Sequence, residues 1–186
     1  MKTALFGGGC FWCTEAIFQM LKGVSKVESG YAGGNPLAGG GSPSYEQVSS
    51  GNTGHAEVIR VTYDPAVISY EDLLTVFFGS HDPTTPNQQG ADVGEQYRSI
   101  ILYETEEEKA TAERVSKEIQ DSLTDGTRVV TQIVPLPAGR QGLGFFKAED
   151  YHQDYFKTNT SAPYCQIIIE PKIEKVKKRF AELVKQ

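Results

Sequence analysis

The chain has 186 residues, 39% of them apolar and 10% aromatic, which is enough for one domain with a sizeable core and too little for two full domains. A net charge of −6 argues against a partner held through a strongly basic surface, nucleic acid above all. Three cysteines cannot all pair, so a structural disulfide framework gives way to reactive thiols or a metal site.

The opening "MKTALFGGG" lacks an apolar run long enough for a signal peptide or a membrane span, and the expectation is a cytoplasmic protein. Thr3 to Phe6 reads as a short strand, and after three glycines Trp12, Ala16, Ile17, Met20 and Leu21 recur at helical spacing. "VSKVESGYAGG" is a second strand, and "GNPLAGGGSPSY" reads as loop. In "EVIRVTY" the two-residue period puts Glu57, Ile59, Val61 and Tyr63 on one face, a carboxylate among apolar side chains. Ser69 caps a helix carrying Leu73, Leu74, Phe77 and Phe78; a long polar loop and a strand over 96–103 follow. The order is β-α-β-β-α-β, the ferredoxin-like alternation: an α+β fold with a two-layer core whose sheet carries helices on one face. Thr105 and Glu108 predict a capping box for a helix reaching Leu123, striped by Ala112, Val115 and Ile119. A strand over 129–134, a Gly- and Pro-rich loop, a short helix in "AEDYHQDYF" and a basic amphipathic helix over 171–184 complete the chain. Nothing in it reads as a linker, so residues 1–186 are taken as a single domain.

"GGGCFWCTE" places Cys10 at a strand-to-helix turn, where unpartnered helical N–H groups can lower a thiol from about 8.5 and make it a nucleophile. The alternative is a small buried filler. Cys13, three residues on, completes a C-x-x-C. This pattern serves redox exchange or zinc, but His55, His81 and His152 supply no second ligand pair at recognisable spacing, and neither a metal nor a bound cofactor is expected. Phe11 and Trp12 are either core residues of the helix start or the walls of an apolar pocket beside the sulfur. Glu57 is either an acid kept protonated by burial, able to donate a proton, or the partner of a cation such as Arg60 or Arg98.

Together "GCFWCTE", "YEQVSSGNTGHAEV", "GADVGEQYRS", "AEDYHQDYF" and the later "YC" resemble the signature segments of the A-class peptide methionine sulfoxide reductases, in the same order from Leu5 to Cys165. The resemblance implies reduction of methionine S-sulfoxide, free or in proteins, as protein repair under oxidative stress, with thioredoxin as the recycling partner. By position it implies Cys10 as nucleophile, Phe11 and Trp12 as the pocket for the substrate methyl, and Glu57 as proton donor. Tyr45 and Tyr97 would hold the sulfoxide oxygen, Asp92 would lie at the substrate backbone, and Tyr155 would be a further pocket tyrosine. A second thiol condenses with the Cys10 sulfenic acid; Cys13 and Cys165 both stand at resolving positions, and the "NTSAP" before Tyr164 suggests a segment mobile enough to bring Cys165 in. Loops 35–44 and 137–144 depart from the family pattern. A general thiol–disulfide oxidoreductase using Cys10 and Cys13 is the alternative. Glu57 and the two tyrosines separate the readings, since a disulfide exchanger needs no acid aimed at an oxygen.

Overall fold

The computed structural model describes residues 1–35, 41–136 and 144–185. In chain order the elements are β1 (Lys2–Gly8), α1 (Phe11–Gln19), β2 (Val24–Ala32), α2 (Tyr45–Ser49), β3 (Ala56–Tyr63), α3 (Tyr70–Ser80), β4 (Gln88–Gln89), β5 (Asp92–Val93), β6 (Ser99–Tyr103), α4 (Glu106–Ser122), β7 (Gln132–Pro135), β8 (Phe146–Lys147), α5 (Tyr155–Thr158) and α6 (Glu170–Arg179).

The main sheet runs β7-β6-β1-β3-β2-β8. Its four central strands, β6-β1-β3-β2, are all antiparallel and come from the β1-α1-β2-β3-α3-β6 unit, the ferredoxin-like arrangement expected from the sequence. β7 adds in parallel beside β6 and β8 antiparallel beside β2. Alternation along β1 and β3 sends Ala4, Phe6, Ile59, Val61 and Tyr63 into the large core beneath the helices. Leu5, Ala56 and Val58 face the other way, with Ile100 and Leu102, under a cover of Val134, Leu136 and Phe145.

Several boundaries differ from the sequence reading. The strand expected over 96–103 begins at Ser99, because Tyr97 N–H closes a turn onto Gly94 O at 3.0 Å, and Glu95–Tyr97 is a 3-10 turn. The strand expected from 129 starts at Gln132. Only half of the Thr105 capping box forms: Thr105 Oγ1 accepts Glu108 N–H, but the Glu108 carboxylate takes the N–H of Glu104 instead. The last helix stops at Arg179, where Phe180 turns inward onto Gly79, and the chain then runs back to pair Val184 with Leu21. "AEDYHQDYF" forms two short turns, Asp150–His152 and α5, and the polar loop after α3 holds the β4–β5 hairpin. Of the two unusual loops, residues 36–40 and 137–143 lie outside the described residues.

Cys165 is not on an open loop. Pro163 starts a helical stretch, a position proline tolerates because its missing N–H has no helical partner there, and Cys165 follows in a π-helical turn, Cys165–Ile169, that leads into α6. Its side chain is wholly buried in the core.

Candidate active site

The glycines between β1 and α1 make the site possible. A Cβ on Gly7 would lie 2.8 Å from Glu57 O and 2.7 Å from Ile100 Cγ2, so a glycine here lets β1 lie close against its neighbours beside Glu57. Gly9, at φ +94, turns the chain from strand to helix in a region that side-chain-bearing residues avoid. Cys10 then caps α1, and the next residue, Phe11, donates its free N–H to Glu57 Oε2 at 3.0 Å.

Glu57 is 2% exposed, on the inward face that the two-residue period predicts. Neither suggested cation reaches it. Arg60 pairs with Glu28 at 2.8 Å, and Arg98 donates to Gln132 Oε1 and to the carbonyls of Gly33, Gly54 and Glu95. Burial therefore dominates, pushing the carboxyl up to about 8 against the pull of the Phe11 N–H. At neutral pH the group is a carboxylic acid.

The sulfurs behave differently from the sequence expectation. The helix N–H nearest Cys10 goes to Glu57, and the Cys10 thiol is raised by its hydrogen bond with Cys13 and by burial. Cys13 is drawn down to about 7 by the same bond. The first proton thus leaves the pair near neutrality. All three cysteines are unpaired. Among the described residues no three His, Cys, Asp or Glu side chains gather as ligands of one ion.

A cavity of about 200 Å³ is lined by Cys10, Phe11, Trp12, Tyr45, Glu57, Asp92, Tyr97 and Tyr164. Seven of these eight are residues singled out from the sequence. Tyr45 opens α2, whose capping box of Ser44 and Gln47 sets the turn, and its N–H reaches Glu149 Oε1 at 2.9 Å. Glu149 Oε2 accepts the Tyr31 hydroxyl, tying the α2 loop to the segment before α5. Burial raises both the Tyr45 and Tyr97 hydroxyls, keeping them protonated donors.

Tyr155 does not line the cavity; it stacks on Trp12, with ring centroids 3.6 Å apart and planes at 5°. Cys13 and Cys165 are also outside the lining. Tyr164, the first residue of the "YC" motif, joins the lining although the sequence assigns it no role. Its hydroxyl donates to Asp92 Oδ2 at 2.9 Å and lies 3.8 Å from Cys13 Sγ. Nor does the sequence single out Glu15. It is buried on α1, accepts the N–H groups of Asp154 and Tyr155, and is raised to about 7 chiefly by burial.

Set beside known proteins, residues 2–184 match the family model described as peptide methionine sulfoxide reductase. The peptide methionine sulfoxide reductase MsrA of Sulfolobus acidocaldarius is 50% identical over 182 residues, covering 98% of this chain and 97% of the relative. The crystal structure of Mxr1 from Saccharomyces cerevisiae in reduced form superposes with a TM-score of 0.76 at 33% identity, covering 88% of each chain. A structure of Mxr1 in complex with Trx2 aligns at 24% identity and a TM-score of 0.50, over 80% of this chain and 90% of that one.

Proposed function

Since the chain belongs to the peptide methionine sulfoxide reductase family, and so is an oxidoreductase acting on methionine sulfoxide, we propose how its own residues carry out that reduction. The observation that carries the reading is a protonated Glu57 and the Cys10 sulfur on the walls of one small cavity.

A sulfoxide sulfur becomes electrophilic when its oxygen is protonated or strongly hydrogen-bonded. Glu57 supplies that proton, and the hydroxyls of Tyr45 and Tyr97 hold the oxygen. Phe11 and Trp12 grip the methyl group of the S epimer, while Asp92, fixed by Tyr164, meets the substrate backbone. Near neutrality the cysteine pair carries one negative charge, and of its two sulfurs Cys10 is the one on the cavity wall. Its thiolate attacks the substrate sulfur. Oxygen passes to Cys10 as a sulfenic acid; the sulfoxide gains two electrons, Cys10 loses two, and methionine leaves. A second thiol then displaces water from the sulfenic acid to give a disulfide. Cys13, one helical turn from Cys10, is the first resolver. Cys165, in its π-helical turn, receives the disulfide by exchange and passes it to a thioredoxin. The yeast protein Mxr1 is solved with Trx2, which supports that partner.

A general thiol–disulfide exchanger would leave the buried acid and both tyrosines without a task. Three cysteines, all with redox roles in this scheme and none left for a structural framework, support a cytoplasmic location; among the described residues no helix is long and apolar enough to cross a membrane. We read residues 1–186 as one domain built around this site.

The test is incubation with a methionine sulfoxide peptide and dithiothreitol. The parent should release methionine and Cys10→Ser should not, because a serine hydroxyl stays protonated near neutral pH. Activity in the serine variant within about tenfold of the parent, a residue far above the usual loss on removing a nucleophile, would remove Cys10 from its role.

A further inference from the structure

Behind the cavity lies a histidine that the chemistry above does not use. His152 is 2% exposed and sits in the 3-10 turn Asp150–His152. Its ring is enclosed by aromatic neighbours: centroids of Tyr151, Tyr45 and Phe11 lie 4.2, 4.7 and 5.0 Å away. Nδ1 accepts the indole N–H of Trp12 at 3.1 Å. Nε2 is buried with no hydrogen-bond partner among the described residues.

That pattern fixes the tautomer. Accepting through Nδ1 leaves the proton on Nε2, where it is unpartnered and costs stability. A phenylalanine would fill the same aromatic cage without that cost, so packing alone does not account for the histidine. What only the histidine supplies is the Nδ1 acceptor. An indole has a single polar atom, and this bond fixes the rotation of the ring in its own plane, while Tyr155, stacked on one face, fixes the plane itself. Burial also lowers the imidazole below its ordinary value, against a smaller upward pull from Glu149, which keeps Nδ1 free to accept.

We propose that His152 is a positioning residue for Trp12, holding the indole at the orientation in which it walls the sulfoxide pocket through its Nδ1 acceptor. The functional half rests on Trp12 being a substrate-contacting wall, as argued above; the hydrogen bond can be tested without substrate.

Trp12 is the only tryptophan, so its indole gives one N–H resonance. In the parent that proton should exchange with solvent at least about tenfold more slowly than in a free indole, as one buried hydrogen bond implies. His152→Phe should remove the protection, and His152→Asn, whose side-chain oxygen can occupy the Nδ1 place, should keep it. With a sulfoxide peptide and dithiothreitol, His152→Phe should raise KM about tenfold and change kcat by less than about threefold, because one binding-wall hydrogen bond is lost and no reacting group moves. His152→Asn should restore KM, and His152→Phe should add nothing in a Trp12→Phe background. An unprotected indole in the parent, or Phe and Asn variants impaired alike, overturns the proposal, and the first of these needs no variant to fold. If Trp12→Phe leaves KM unchanged while the parent indole is protected, the pocket-wall reading fails and the hydrogen bond stands.

Discussion

The backbone N–H of Phe11 donates to Oε2 of Glu57 at 3.0 Å, which ties the acid of the site to the residue directly after its nucleophile. The two groups must be in opposite protonation states for the proposed reaction. The thiol pair gives up its first proton near 7, and Glu57 keeps its own up to about 8. The single-turnover rate should therefore rise with pH through about 7 as the thiolate forms, and fall through about 8 as the acid ionises. Glu57→Gln keeps an acceptor for Phe11 N–H but has no proton to give. It should lower the rate by about a hundredfold and abolish the falling limb. Rapid-quench profiles of parent and variant decide this, and a variant that still falls above pH 8 assigns that limb to another group.

Stability should respond to the same burial. Glu57 and Glu15 ionise at about 4.5 when unfolded and are raised to about 8 and about 7 in the folded chain. Between those values the unfolded state has lost protons that the folded state retains, so rising pH favours unfolding. The contribution is complete below 4.5 and is lost as pH climbs. From pH 4.5 to 7 Glu57 alone should lose on the order of 3 kcal/mol, at about 1.4 kcal/mol per tenfold change in proton affinity. Urea midpoints across this range should fall in the parent and fall less in Glu57→Gln; equal slopes would mean that the carboxyl is not held protonated.

How much of this was legible depends on the range over which each constraint acts. A period of two along "EVIRVTY" was enough to turn Glu57 inward, and the succession of strands and helices was enough for the central sheet. Glu15 shows the opposite case. On a helix its charge reads as a solvated face, and nothing local reveals that its partners are backbone N–H groups at Asp154 and Tyr155. Tyr164 likewise acquires its role from Asp92, and its place in the cavity exists only once β5 and the turn before α6 meet. "NTSAP" reads as loop by composition and residues 159–162 are indeed loop, but the helix that begins at Pro163 carries Cys165 into the core, which composition does not reveal.

Burial of Cys165 makes the order of disulfides measurable. After one equivalent of sulfoxide, mass mapping of Cys165→Ser should find a Cys10–Cys13 disulfide, formed at the parent rate. That species should be reduced slowly by thioredoxin, since the outward relay is missing. Cys13→Ser should accumulate sulfenic acid before any Cys10–Cys165 bond, because the π-helical turn must open first. Parent-rate reduction by thioredoxin in Cys165→Ser shows that Cys165 is dispensable and ends the relay.

Gly7→Ala should cost about 1–3 kcal/mol, the usual penalty for forcing a methyl into packed structure, because its Cβ would meet the Glu57 carbonyl at 2.8 Å and Ile100 at 2.7 Å. The backbone of β3 would have to give way, taking the acid with it. Thermal melting should show the loss, and single-turnover rates at a temperature where the variant is folded should also drop. Parent-like rates there would mean that the packing of β1 does not govern where Glu57 stands.

Cys10 at the cap of α1 and Glu57 on β3 belong to the central sheet and its covering helix, which the Phe11 N–H bond to Glu57 joins, whereas Tyr45, Asp92 and Tyr164 arrive on a short helix, a two-residue strand and the turn before α6. The reacting pair, with Phe11 and Trp12 beside it, and the remaining wall of the cavity are thus supplied by separate parts of the chain. A library confined to the β5 hairpin and the turn before α6, with Tyr45 and Tyr97 left in place to hold the oxygen, should therefore yield variants that accept sulfoxides of other shapes while the underlying chemistry persists.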